Sequence, residues 1–191
     1  MNIHIENLLD RKTLVIGGIK SGKTRFACAF VEKVLAERED RVAVLDLAPD
    51  LYRGVGGKMV LPDHPRLRYL TTWITAPRLR GRDPAEVLEL AEGNRRRIEM
   101  VLESYLASPA PILVINDVTL FLHAGSVERL MEVASTAATL LVNAYFGEDF
   151  EEIALSLLER RKMELFLPFF DRVLRMERGH VFEERGNASR K

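Results

Sequence analysis

Gly17-Gly18-Ile19-Lys20-Ser21-Gly22-Lys23-Thr24 fits the spacing G-x-x-x-x-G-K-[ST] without a mismatch. Ahead of it, Thr13-Leu14-Val15-Ile16 is a short apolar run that reads as a buried strand over about 13–17. Behind it, Phe26, Ala27, Phe30, Val31, Val34 and Leu35 recur at helical spacing, which predicts a helix over about 22–38. Strand, glycine-rich turn and helix together make this spacing a phosphate site. The glycines let backbone amides close in on an anion. The start of the helix adds unpaired N–H groups and roughly half a positive charge. The candidate phosphate cradle is therefore Gly17, Gly18, Ile19, Lys20, Ser21, Gly22, Lys23, Thr24 and Arg25. Lys23 would reach the terminal phosphates, and the Thr24 hydroxyl would ligate Mg²⁺.

Outward from that segment, apolar runs alternate with helical patterns, which predicts a mainly parallel sheet with crossover helices. A strand over about 41–46 ends in Asp46, and another over about 67–74 is rich in Tyr and Thr. Asp83-Pro84 has the signature of an N-cap and first helical position, opening a helix to about Leu106. Pro111 to Asp117 is the cleanest buried strand, followed by a helix over 126–136, a strand over 139–143 and a helix over about 149–165. Arg178-Gly179 between β-type runs predicts a hairpin over 172–182. The expected organisation is one domain over 1–182 and a frayed polar tail over 183–191.

A phosphate loop needs a partner for its metal. Asp117 ends an apolar strand at the carboxyl edge of the sheet, where it is positioned to hold Mg²⁺. Val118 follows it, so this strand supplies no adjacent glutamate base. Asp46 is either a general base or a loop cap, and Asp50 reads as a solvated turn residue. Asn143 either meets the γ-phosphate, base or substrate, or simply ends its strand. The loop Gly54-Val55-Gly56-Gly57-Lys58 is either a lid, with Arg53 and Lys58 bringing positive charge, or a connector. Arg78, Arg80 and Arg82 form a basic loop, while Arg95-Arg96-Arg97 and Arg160-Arg161-Lys162 read as solvated faces. His64 reads as a surface residue, His123 as a surface residue or, because it follows the Asp117 strand closely, a residue lining the site, and Trp73 and Phe121 as core or pocket walls.

The 191 residues suffice for one α/β core. Lys+Arg and Asp+Glu both number 28, so no net field draws the chain toward nucleic acid or a membrane surface. The lone Cys28 reads as a small buried apolar residue. No apolar stretch is long enough to span a bilayer and no signal peptide is visible, so a cytoplasmic protein is expected.

The phosphate-loop strand, the Asp46 and Asp117 strands and the terminal hairpin resemble the RecA-like division of P-loop NTPases over about 12–182. Within it, Gly17 to Arg25, Val114 to Leu122 and Leu140 to Asn143 are similar to the cobinamide kinase and guanylyltransferase family. That family carries a histidine-bearing segment between its second and third strands, and here only His64 falls in that interval. Circadian-clock-like and RecA-like ATPases are similar in strand order, but Leu47-Ala48-Pro49-Asp50 stands where they carry a catalytic glutamate. The resemblance implies a three-layer α/β/α sandwich that binds ATP or GTP with Mg²⁺. ATP hydrolysis is the leading expectation. Phosphoryl transfer to an acceptor and nucleotide-dependent regulation without turnover are the alternatives. RecA-like domains also place sites at subunit junctions, which implies a homo-oligomer.

Overall fold

The computed structural model describes residues 4–147 and 154–186. Its strands are β1 (Lys12–Gly17), β2 (Val42–Asp46), β3 (Leu67–Thr71), β4 (Ile112–Asn116), β5 (Thr139–Tyr145), β6 (Arg172–Glu177) and β7 (His180–Gly186). They form one sheet in the order β3-β2-β4-β5-β1-β6-β7, parallel throughout except for the terminal β6–β7 pair. The helices are α1 (Lys23–Glu37), α2 (Pro77–Arg80), α3 (Pro84–Leu106), α4 (Thr119–Leu122), α5 (Val127–Ala134) and α6 (Ala154–Phe166).

The apolar runs are strands because both faces of the sheet are covered. Alternate residues enter opposite layers. Leu14, Leu45, Leu113 and Leu140 pack with Ile98 of α3 and Phe121 of α4. Their neighbours Val15, Val44, Val114 and Leu141 pack with Phe30 and Val34 of α1. This is the expected three-layer sandwich. No helix among the described residues is long and apolar enough to cross a membrane.

Several local expectations need correction. β3 stops at Thr71 rather than 74. Beyond it, buried Asn94 of α3 accepts from Thr75 N (3.0 Å) and donates to Thr75 O (2.8 Å), drawing the chain off the sheet edge toward α2. Arg97 is not simply solvated: it donates to Trp73 O and Asn94 Oδ1 and covers the indole. Trp73 is 57% exposed, neither core nor pocket wall, whereas Phe121 is fully buried. α5 ends at Ala134, because Ser135 and Thr136 hydroxyls bond back to the Met131 and Val133 carbonyls. The hairpin continues through Gly186, beyond the expected end at 182. Cross-strand pairs Arg172–Glu183 and Arg175–Glu184 hold it. The start of the helix expected from 149 and the tail from 187 lie outside the described residues. Cys28 is half-buried.

Candidate nucleotide site

The turn between β1 and α1 is bent as its glycines require. Gly22 caps α1 at φ 106°, with no side chain capping the helix amides. A Cβ on Gly17 would come within 2.4 Å of Met176 O on β6. The terminal hairpin also holds the loop, Gly179 N donating to Ser21 O at 2.9 Å. Lys23 curls into its own loop, with Nζ donating to Gly17 O (2.8 Å), Gly18 O (2.7 Å) and Ser21 Oγ (3.3 Å). The first amides of a helix have no intrahelical partners, so this bend concentrates donors around a central cation.

The loop forms one wall of a cavity of about 290 Å³. Opposite stand Pro49 and Gly54 to Gly57 after β2, Ala76 to Leu79 around α2, and Asn116, Asp117, His123 and Asn143. The cavity lies at the carboxyl ends of the parallel strands, where open α/β sheets bind ligands.

β5 stands between β1 and β4, so Asp117 is one strand removed from the phosphate loop. It sits at φ 57°, a left-handed conformation that costs energy for a side-chain-bearing residue. Its Oδ1 is buried without a hydrogen-bond partner among the described residues. Burial pushes its carboxyl up to about 6; Lys23 opposes the shift, and Glu159 adds to it. An orphaned carboxylate oxygen on a residue that lines the same cavity as Thr24 fits a hard, oxygen-loving divalent cation such as Mg²⁺.

The raised pKa also makes a stability prediction. A carboxyl whose folded pKa exceeds its ordinary 3.8 holds its proton more tightly in the folded state. Stability from Asp117 is then fully present below about pH 4 and lost as pH rises through about 6. Asp117→Asn should remove that downward slope from metal-free urea melts between those values. Parallel pH profiles for the two proteins would contradict the assignment.

Asp46 is fully buried and does not line the cavity. Its Oδ1 accepts from Asn116 Nδ2 (2.9 Å) and Ala48 N (3.2 Å). Its Oδ2 accepts from Met59 N and Tyr69 OH, both at 2.5 Å. Four donors fill the four lone-pair sites of a carboxylate. The general-base role considered for Asp46 is therefore replaced by a positioning one. Asn116 Oδ1 in turn accepts from Thr24 Oγ1 (3.3 Å) and Asn143 Nδ2 (3.0 Å). A buried polar chain thus runs from Asp46 through Asn116 to the first turn of α1. Asn143 gives one of the two N–H groups of its Nδ2 to Asn116, and its Oδ1 is buried without a partner among the described residues. Asn143 also lines the cavity.

The glycine loop is a fixed wall in this conformation. Tyr52 and Val55 exchange backbone hydrogen bonds, Gly57 N donates to Pro49 O, and Arg80 lies 4.4 Å over the Tyr52 ring. Lys58 turns inward, donating to Ala48 O (2.6 Å) and Thr72 O (2.9 Å), so it adds no charge to a lid. Arg78 is mostly covered and paired with Glu159, while Arg82 is exposed and pairs with Glu86. Lys162 is not solvated: its Nζ holds the carbonyls of Leu122 and Gly125. His123 is buried, not a surface residue, and lines the cavity. Glu159 carried no sequence signal: it is one acidic residue in a charged helix, 81 positions from Arg78. Asp50 is only partly exposed, tied by its backbone to Ile74 O.

No protein-family model matches the chain, and no curated protein matches it. Among solved structures it is similar to the flagellar accessory protein FlaH from Methanocaldococcus jannaschii, at 11% identity and a TM-score of 0.48. That likeness covers 94% of this chain and 80% of FlaH. It is also similar to the VirB11 ATPase of the Brucella suis type IV secretion system, crystallised with sulphate, at 14% identity and a TM-score of 0.48. There it covers 92% of this chain but only 48% of VirB11, about half that protein's length. At such identities no activity passes from either protein to this one. The chain's own topology is decisive for the fold: β5 lies between the phosphate-loop strand and the Asp117 strand, and an antiparallel hairpin extends the β1 edge. This is a three-layer α/β/α fold with a mainly parallel sheet and a glycine-rich turn after β1.

Proposed function

We propose that this protein binds a nucleoside triphosphate with Mg²⁺ and hydrolyses its β–γ phosphate bond. The observation that carries the reading is the placement of Lys23, Thr24 and Asp117 around one cavity, with Asp117 Oδ1 buried and without a partner among the described residues. Backbone amides of residues 18–24 and Lys23 would bind the β- and γ-phosphates. Thr24 and Asp117 would hold the metal, which supplies neutralisation of charge on the phosphate oxygens. Asn116 orients Thr24, and Asp46 orients Asn116.

Transfer of the γ-phosphoryl group to a small acceptor is the second reading. It is favoured by the apolar half of the cavity, built from Pro49, Val55, Leu79 and Leu120. Phosphate release from Mg–ATP and Mg–GTP, measured without and with candidate acceptors, separates the two. Release without acceptor supports hydrolysis. Label transfer only with acceptor supports the second reading, and tight binding without either supports a regulatory module.

A further inference from the structure

We propose that His123, set in place by Glu159, is the general base that activates the attacking water. This rests on the hydrolysis reading above. That reading lacks a base: Asp46 has all its acceptor sites filled, and Asp117 is the metal carboxylate.

His123 follows α4 and faces α6. Its Nε2 lies 3.1 Å from Glu159 Oε2, and the same oxygen pairs with Arg78. A carboxylate paired with a guanidinium only accepts, so Nε2 carries the proton and donates. Nδ1 is then the unprotonated nitrogen. It is buried without a partner among the described residues, on a ring that lines the cavity shared by Lys23, Thr24 and Asp117. A buried acceptor left open in a folded protein calls for an explanation, and a substrate proton supplies one.

The ring is held from several sides. Lys162 fixes the carbonyls of Leu122 and Gly125, which flank His123. Asn94 fixes Thr75, two residues before the short helix that carries Arg78. The charged groups around the imidazole are Glu159 and Lys162 from α6 and Arg78 from α2, with Asp117 at the cavity wall. Burial lowers the imidazole pKa and keeps it in the base form at neutral pH; the Glu159 bond opposes that shift.

In the step itself, a water O–H proton passes to Nδ1 while the water oxygen bonds to the γ-phosphorus. The bond from that phosphorus to the β–γ bridging oxygen breaks, and its electron pair leaves on the nucleoside diphosphate. The remaining water proton stays on the inorganic phosphate. The imidazolium, held by Glu159, returns its proton to solvent. Glu159 is a positioning residue, and His123 is the catalytic one.

The test uses the full chain with Mg–ATP. Phosphate release and affinity for a non-hydrolysable triphosphate are measured for the wild type, His123→Ala, His123→Gln and Glu159→Gln. The turnover of His123→Ala should fall about 100- to 10,000-fold. Its analogue affinity should stay within about threefold, the mark of an interaction made only in the transition state. Added imidazole should restore at least about tenfold of that rate, and more as pH rises and the free base accumulates. Glu159→Gln should lower turnover while keeping analogue affinity. A folded His123→Ala that keeps its rate, loses rate and affinity together, or ignores imidazole overturns the proposal. If that variant does not fold, His123→Gln decides: turnover lost with affinity kept supports the base, and any other pattern overturns it. A wild type that binds the analogue but releases no phosphate sinks the hydrolysis reading itself, and this base with it.

Discussion

Lys23→Ala should weaken nucleoside-triphosphate binding about 10- to 100-fold, because a hydrogen bond to a charged group contributes roughly 1.5–3 kcal/mol. The ammonium lies inside the loop, held by the Gly17 and Gly18 carbonyls and the Ser21 hydroxyl. An entering phosphate would exchange those neutral acceptors for charged ones, so the lysine gains more from the ligand than it gives up. Turnover should fall further than affinity, since charge on the transferring oxygens is greatest in the transition state. Lys23→Arg should not restore it: a planar guanidinium is wider than the compact ammonium that fits between those carbonyls. Titration with a fluorescent triphosphate analogue, alongside phosphate release, reads both effects. Unchanged affinity and rate would remove the phosphate loop from the account.

The second large effect is on stability. Asp46→Ala should destabilise the fold by at least about 3 kcal/mol, because each buried donor left unpaired costs roughly 1–3 kcal/mol. Four donors depend on Asp46: Ala48 N, Met59 N, Tyr69 OH and Asn116 Nδ2. That loss is a large share of the 5–15 kcal/mol typical of a domain. Asp46→Asn should be nearly as damaging, since its new NH₂ must face either two backbone and side-chain donors or an equivalent pair. Urea melts without nucleotide measure this directly. A variant at this position that melts like the wild type but has lost turnover would restore Asp46 as a base and displace His123.

The sheet was legible in the sequence because its strands are continuous apolar runs, and β4 and β5 were placed within two residues. The same holds for α3, whose Asp83 cap accepts from Glu86 N as its side chain predicts. The glycine-rich turn between β1 and α1 was legible because its constraint is local: eight consecutive residues carry the bend. What escaped were contacts made between distant segments. Nothing in Glu159 or His123 alone reports that Arg78 lies beside them. Asn116 reads as a strand residue until Thr24, Asn143 and Asp46 converge on it. Lys58 reads as a charge on a lid or connector, and Arg97 and Lys162 as solvated faces, because a cation bonded to carbonyls looks the same in sequence as a free one.

The most direct test of the central claim is a crystal structure of the full chain with Mg²⁺ and a non-hydrolysable triphosphate. The account predicts the β- and γ-phosphates against the amides of residues 18–24, Lys23 Nζ withdrawn from the Gly17 and Gly18 carbonyls, and the metal between Thr24 and Asp117. A triphosphate lodged elsewhere, or a loop still closed on its own lysine with ligand present at saturating concentration, would contradict it.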